Sequence, residues 1–112
     1  MKWIQLENEQ QLEEIKLSSG YSLIFKHSTR CSISMMAKKR FELDWDELPE
    51  ATNLYFLDLI RFRTISTLIA ETFNIHHESP QLLLIKGADC VYEASHGEIS
   101  AEDAAKQITV FK

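Results

Sequence analysis

Tyr21-Ser22-Leu23-Ile24-Phe25-Lys26-His27-Ser28-Thr29-Arg30-Cys31-Ser32-Ile33-Ser34 is where an extended segment gives way to a helix around a cysteine. Tyr21 to Phe25 is apolar enough for a strand buried on both faces. From Ile33 onward, Ile33, Met36, Ala37 and Phe41 recur every three to four positions, which predicts a helix running to about Leu43. Cys31 thus stands at a helix start. The first N–H groups of a helix have no partner inside it, and the helix dipole is positive there. Both effects favour thiolate over thiol. Lys26, His27 and Arg30 add cationic side chains close in sequence, and a cysteine in such company has a lowered pKa. Cys31 is therefore the candidate nucleophile, against the plainer reading of a small residue opening a helix.

The spacing defines the kind of thiol. A dithiol redox motif is Cys-x-x-Cys, whereas here Ser34 stands in the second position. Serine forms no disulfide, so exchange at Cys31 has to be monothiol. The chain has 112 residues, as expected for one domain spanning 1–112. Hydrophobic residues make up 45% and charged residues 26%, the balance of a soluble globular protein. A net charge of −5 argues against nucleic acid or an anionic membrane as partner. With only two cysteines and no apolar run resembling a signal peptide or membrane span, the expected compartment is the reducing cytoplasm. Cys31 and Cys90 are then thiols rather than a structural disulfide.

Outward from this stretch the elements alternate. Trp3 to Leu6 reads as a strand. Asn8 reads as a helix N-cap with Gln11 completing a capping box, and Ser18-Ser19-Gly20 ends that helix. After the Cys31 helix, Asp44 to Thr52 is a loop and Asn53 to Asp58 a third strand. Thr64 is positioned to cap a helix through Ile65, Leu68, Ile69 and Phe73. Gln81 to Lys86 is a strand, Gly87-Ala88-Asp89 a tight turn, and Cys90 to Ser95 its hairpin partner. His96 to Ile99 is a second turn. Ser100 and Asp103 open a last helix through Ala104, Ala105 and Ile108. The order β-α-β-α-β-α-β-β-α calls for a mixed five-stranded sheet with right-handed crossovers and helices on both faces. This is the order of the thioredoxin fold, with strands arranged 1-3-2-4-5.

In that arrangement the second strand ends at the carboxyl edge of the sheet, where open α/β sheets bind ligands. The fourth strand, antiparallel to it, starts at the same edge, and the fifth returns there. Cys31, His77, Ser79, Pro80, His96 and Gly97 are expected to converge, while Cys90 lies at the far edge, roughly 20 Å away at strand rise.

The residues so placed resemble the monothiol bacilliredoxin family (YtxJ-type). They are His27-Ser28, Cys31 followed by Ile33-Ser34, the run His77-Glu78-Ser79-Pro80-Gln81, and His96-Gly97. The resemblance covers nearly the whole chain and implies a thioredoxin-like fold. It also implies a cytosolic enzyme that takes bacillithiol off mixed disulfides on client proteins. Cys31 falls on the family's reactive cysteine and Pro80 on the proline that is cis in thioredoxin folds. Bacillithiol is then a co-substrate, with no bound cofactor or metal. A second small thiol, another redoxin or a reductase restores Cys31. One departure stands out. The family reads Thr-Cys-Pro-Ile-Ser, and here Arg30-Cys31-Ser32-Ile33-Ser34 puts a serine hydroxyl where a rigid first-turn proline is usual.

Further candidates surround this site. Lys26 and Arg63 are placed to hold a carboxylate of the small thiol, each against the alternative of a solvated cation. His27 is placed to tune Cys31, and Ser32 to hydrogen-bond its thiolate. The backbone at Ser79-Pro80 suits the thiol's peptide-like part, and Gly97 allows close approach. Lys38-Lys39-Arg40 reads as a solvated helix end, Met35-Met36 as core, and Cys90 as a small buried residue. Competing functions are a non-catalytic redox-sensing module and a glutathione-using monothiol glutaredoxin-like protein.

Overall fold

The computed structural model describes residues 2–28 and 31–110, with the side chains of Thr109 and Val110 left out. Five strands and four α-helices follow in the expected order. They are β1 (Ile4–Gln5), α1 (Glu9–Leu17), β2 (Tyr21–His27), α2 (Ser32–Asp44), β3 (Asn53–Asp58), α3 (Arg63–Thr72), β4 (Gln81–Lys86), β5 (Asp89–Ser95) and α4 (Ala101–Val110). The sheet order is β1-β3-β2-β4-β5. β1 and β2 run parallel to β3, and β4 is antiparallel to both β2 and β5.

Period-two alternation along the buried strands splits the core into two layers. Leu23, Phe25, Leu54, Phe56, Leu82 and Leu84 face α2 and α4, where they meet Ala37, Phe41, Ala101, Ala104 and Ile108. Ile24, Tyr55, Leu57, Leu83 and Ile85 face α1 and α3, where they meet Leu12, Ile15, Ile65, Ile69 and Phe73. Phe41 and Phe25 are both fully buried, so losing either ring to alanine would cost about 3–5 kcal/mol.

Local chemistry fixes the element ends. Asn8 accepts the Gln11 N–H at 3.0 Å while the Gln11 side chain reaches back to the Asn8 N–H, the capping box expected from sequence. Ser100 accepts the Asp103 N–H at 3.2 Å and starts α4. Gly87 takes a positive φ of 63° in the hairpin turn, a conformation costly for side-chain-bearing residues.

Four expectations are corrected. α3 begins at Arg63 with Phe62 at its cap, one turn before Ile65, so Thr64 lies inside the helix rather than capping it. The turn there is held by Asp58, whose carboxylate accepts the N–H groups of Ile60 and Arg61. α2 is rotated from the expected register. It buries Ser34, Ala37 and Phe41, and leaves Ile33 61% and Met36 66% exposed, with Met35 also at the surface. Met35-Met36 is therefore not core. Finally, α2 runs on to Asp44, so Lys38-Lys39-Arg40 is mid-helix. Lys38 pairs with Glu42 at 2.8 Å, and Arg40 donates to the carbonyls of His96 and Ile99, so this segment is more than a solvated face.

Candidate active site at the start of the second helix

Register brings the site to one sheet edge. Lys26 near the end of β2 pairs with Gln81 at the start of β4, and Gln81 pairs with Ser95 at the end of β5. The Ser79–Pro80 peptide is cis, and the Pro80 carbonyl accepts the His96 N–H at 3.1 Å. Gln81 is buried and ties the preceding loop down, donating to the His76 carbonyl at 2.9 Å. Ser79, Pro80, His96 and Gly97 are thus held together at the edge from which α2 starts.

Cys31 is the N-cap of α2, with extended backbone (φ −109°, ψ 120°) and its carbonyl accepting the Met35 N–H. The backbone N–H of Ser34, then that of Ile33, then the Ser34 hydroxyl lower the thiol's pKa below its ordinary value. The helix start therefore does what its geometry promised. The hydroxyl that contributes to this lowering belongs to Ser34, which is fully buried, and not to Ser32, which is exposed. Among the described residues Ser34 Oγ has no hydrogen-bond partner. The serine in the second-cysteine position thus acts on the thiolate.

The flanking cations do not act as expected on Cys31. Arg30 lies outside the described residues. Lys26 belongs to β2 and is 0% exposed, with its ammonium donating to the Ser66 carbonyl at 3.3 Å and meeting His77 Nδ1 at 3.2 Å. Burial lowers its pKa to about 8. It is therefore neither solvated nor beside the thiol. His27 faces the other core layer, 4% exposed, with its ring 5.0 Å from that of Phe56. Burial first, then the Lys38 charge, lower its pKa, partly offset by the Ser34 backbone and by Asp58 and Glu42. His27 is a neutral residue beneath the first turns of α2, and its Nδ1 has no hydrogen-bond partner among the described residues.

His77 is kept below its ordinary pKa by burial and by the Lys26 charge. Arg63 opens α3 at an exposed position, as expected. Gly97 has open space where a Cβ would stand, so the fold itself does not demand glycine there. His96 carries the positive φ of that turn, 54°. Cys90 pairs with Ile85 near the hairpin tip, is partly buried, and has its thiol pushed up to about 11 by burial. Its strand pairing puts it toward the hairpin tip, and its acidity is shifted in the opposite direction to that of Cys31. Three residues missed in the sequence join the site. Glu78 bridges His76 and His96 at 3.7 Å each, Ser66 accepts from Lys26, and Arg40 fixes the His96 turn. Glu78 sat within the His-Glu-Ser-Pro-Gln run and was open to notice; the other two act through tertiary contacts only.

A five-stranded 1-3-2-4-5 sheet with a helix-capping cysteine and a cis-proline loop at one edge defines a thioredoxin-fold thiol redox protein. A family model described as monothiol bacilliredoxin BrxC matches residues 4–104, and the chain belongs to that family. Among solved structures it is similar to one described as a candidate oxidoreductase with a thioredoxin fold, at 30% identity and TM-score 0.82, covering 94% of this chain and 92% of that one. Thioredoxin from Trypanosoma brucei brucei (8% identity, TM-score 0.78) and a mutant thioredoxin from Halobacterium salinarum (13%, TM-score 0.74) share the fold, each covering 98% of this chain and 90% of the other.

Proposed function

We propose that this protein is a cytosolic monothiol–disulfide oxidoreductase that removes a low-molecular-weight thiol, bacillithiol, from mixed disulfides on client proteins. The observation that carries the reading is Cys31 at the N-cap of α2, where the backbone N–H groups of Ser34 and Ile33 lower the thiol's pKa, with no second cysteine in the motif. In the first step the Cys31 thiolate attacks the small-thiol sulfur of client–S–S–thiol. The client leaves as a thiolate, and the small thiol is left disulfide-bonded to Cys31. In the second step another small thiol, as thiolate, or a partner redoxin or reductase attacks that disulfide and returns the Cys31 thiolate. Each step breaks one S–S bond and makes one, so electrons balance without a bound cofactor. Rates in such exchange rise with thiolate fraction and with a better leaving group.

The test sets client mixed disulfides of bacillithiol and of glutathione side by side. Faster release of bacillithiol, abolished by Cys31→Ser, is expected. A preference for glutathione would move the protein to a glutaredoxin-like role, and no release of either would leave a sensing module.

A further inference from the structure

Lys26 is out of place in a core. An ammonium removed from water needs a counter-charge, and without one it costs several kcal/mol. Yet among the described residues no carboxylate comes within ion-pairing distance of it. Its partners are a carbonyl, Ser66, and an imidazole, His77. Both of these line a cleft of about 370 Å³ whose other walls are Leu59, Arg63, Thr67 and Ala70. The cleft lies at the reactive edge of the sheet, because Leu59 donates to the His27 carbonyl at 2.9 Å and Arg63 starts α3 just beyond it. His77 Nδ1 faces the lysine ammonium, a donor, so the neutral ring carries its hydrogen on Nε2, for which no acceptor stands among the described residues. The Arg63 guanidinium makes no ion pair among the described residues. A pocket with a guanidinium, an N–H donor and a buried ammonium beneath them is complementary to an anion, and the planar guanidinium suits a carboxylate.

We propose that this cleft is a carboxylate subsite, held by Arg63 and His77 with the Lys26 charge beneath them, and that its occupant is the acidic tail of the small thiol exchanged at Cys31. The identity of the occupant rests on the function proposed above; the subsite itself does not. Binding an anion favours protonated Lys26, so affinity falls as pH rises through that lysine's pKa of about 8. The other charges acting on the pair are Glu93 on β5, which supports the protonated lysine, and Glu78 and His76, which act on His77 with opposite signs.

Two arms test this. In the first, Cys31→Ser protein is titrated with succinate, with its neutral diamide and with inorganic phosphate, followed by the His77 ring resonances. Succinate alone should bind, and Arg63→Gln and Lys26→Met should each weaken it about tenfold, as expected for one hydrogen bond to a charged group. No succinate binding, or phosphate binding equally well, overturns the subsite. In the second arm, mixed disulfides of an acidic thiol and of 2-mercaptoethanol are compared with the cysteine intact. Arg63→Gln should shrink the KM preference for the acidic thiol about tenfold. Succinate binding with no change in that preference overturns the assigned occupant. Wild-type protein inactive on every mixed disulfide, but still binding succinate, removes the proposed function and leaves the subsite standing. Because Arg63 is exposed, its variant tests the subsite without disturbing the core.

Discussion

The Cys31 sulfur takes its acidity from very few groups. The N–H groups of Ser34 and Ile33 that lower its pKa belong to the helix backbone and survive any side-chain substitution, while the smaller contribution of the Ser34 hydroxyl does not. Ser34→Ala should raise the Cys31 pKa, measured by thiolate absorbance against pH, and slow exchange at neutral pH about two- to tenfold, the range of one hydrogen bond. Global stability should hold, since the hydroxyl has no hydrogen-bond partner among the described residues. His27 offers a second test. Its pKa is lowered in the fold, so the folded state resists the charge that acid imposes. Its stabilising neutrality is complete above the unfolded value near 6.5 and is lost as pH falls below it. His27→Phe should fill the same space among Phe25 and Phe56 and flatten stability between pH 7 and pH 5, read from urea midpoints. A variant as acid-sensitive as the parent would contradict this. The identity of Cys31, the missing second cysteine and the helix start were all legible in the chain. The direction of the flanking side chains was not. β2 extends through His27, so strict alternation sends Lys26 and His27 to opposite faces, and neither acts on the thiol as an adjacent cation.

Elements were read better than their faces. Strand positions in β3 and β4 and the 1-3-2-4-5 order follow from apolar runs too short for helices and from the alternation with helices. The face of α2 was misread because Ile33, Met36, Ala37 and Phe41 fit a helical period as well as Ser34, Ala37 and Phe41 do. Serine counts as polar in such patterns, although here it is fully buried. The β4–β5 hairpin carries the next prediction. Four residues separate Gln81, at the reactive edge, from Ile85, the partner of Cys90, about 13 Å of strand. A disulfide needs Cα atoms within about 7 Å. Oxidised folded protein should therefore show Cys31 joined to a small thiol or to a second Cys31, never to Cys90, by mass spectrometry of its peptides. Cys90→Ala should leave turnover nearly unchanged. Recovery of a Cys31–Cys90 peptide would sink both the strand assignment and the monothiol mechanism.

At the level of the whole molecule, two apolar layers clamp a sheet whose central strand carries a buried lysine. Its folded pKa of about 8 lies below the ordinary 10.5. The unfolded chain therefore holds more protons between these values, and stability rises as pH climbs from about 8 to 10.5. Lys26→Met should stabilise the protein at pH 7, by up to about 3 kcal/mol. The advantage should fade toward pH 10.5 as the parent's lysine loses its charge. Denaturant midpoints across that range decide it, and a constant difference would mean that packing, not charge, is responsible. No pattern in the sequence announces a lysine of this kind, because its burial depends on α3 closing over β2.

The cap on Cys31 has a thermodynamic counterpart. Helix N–H groups stabilise the anionic sulfur and do nothing comparable for a sulfur already bonded to another. Around a closed cycle of folding and oxidation, whatever the native state adds to the thiolate must reappear as a penalty on the mixed disulfide. The loaded form, with the Cys31 sulfur in an uncharged disulfide, is then the less robust of the two states at neutral pH. Its small thiol is accordingly easier to pass on than one on an unstructured cysteine. In the exchange proposed above the fold would act as a spring that the first step compresses and the second releases, so the same N–H groups that favour the attacking thiolate would also drive the cargo off.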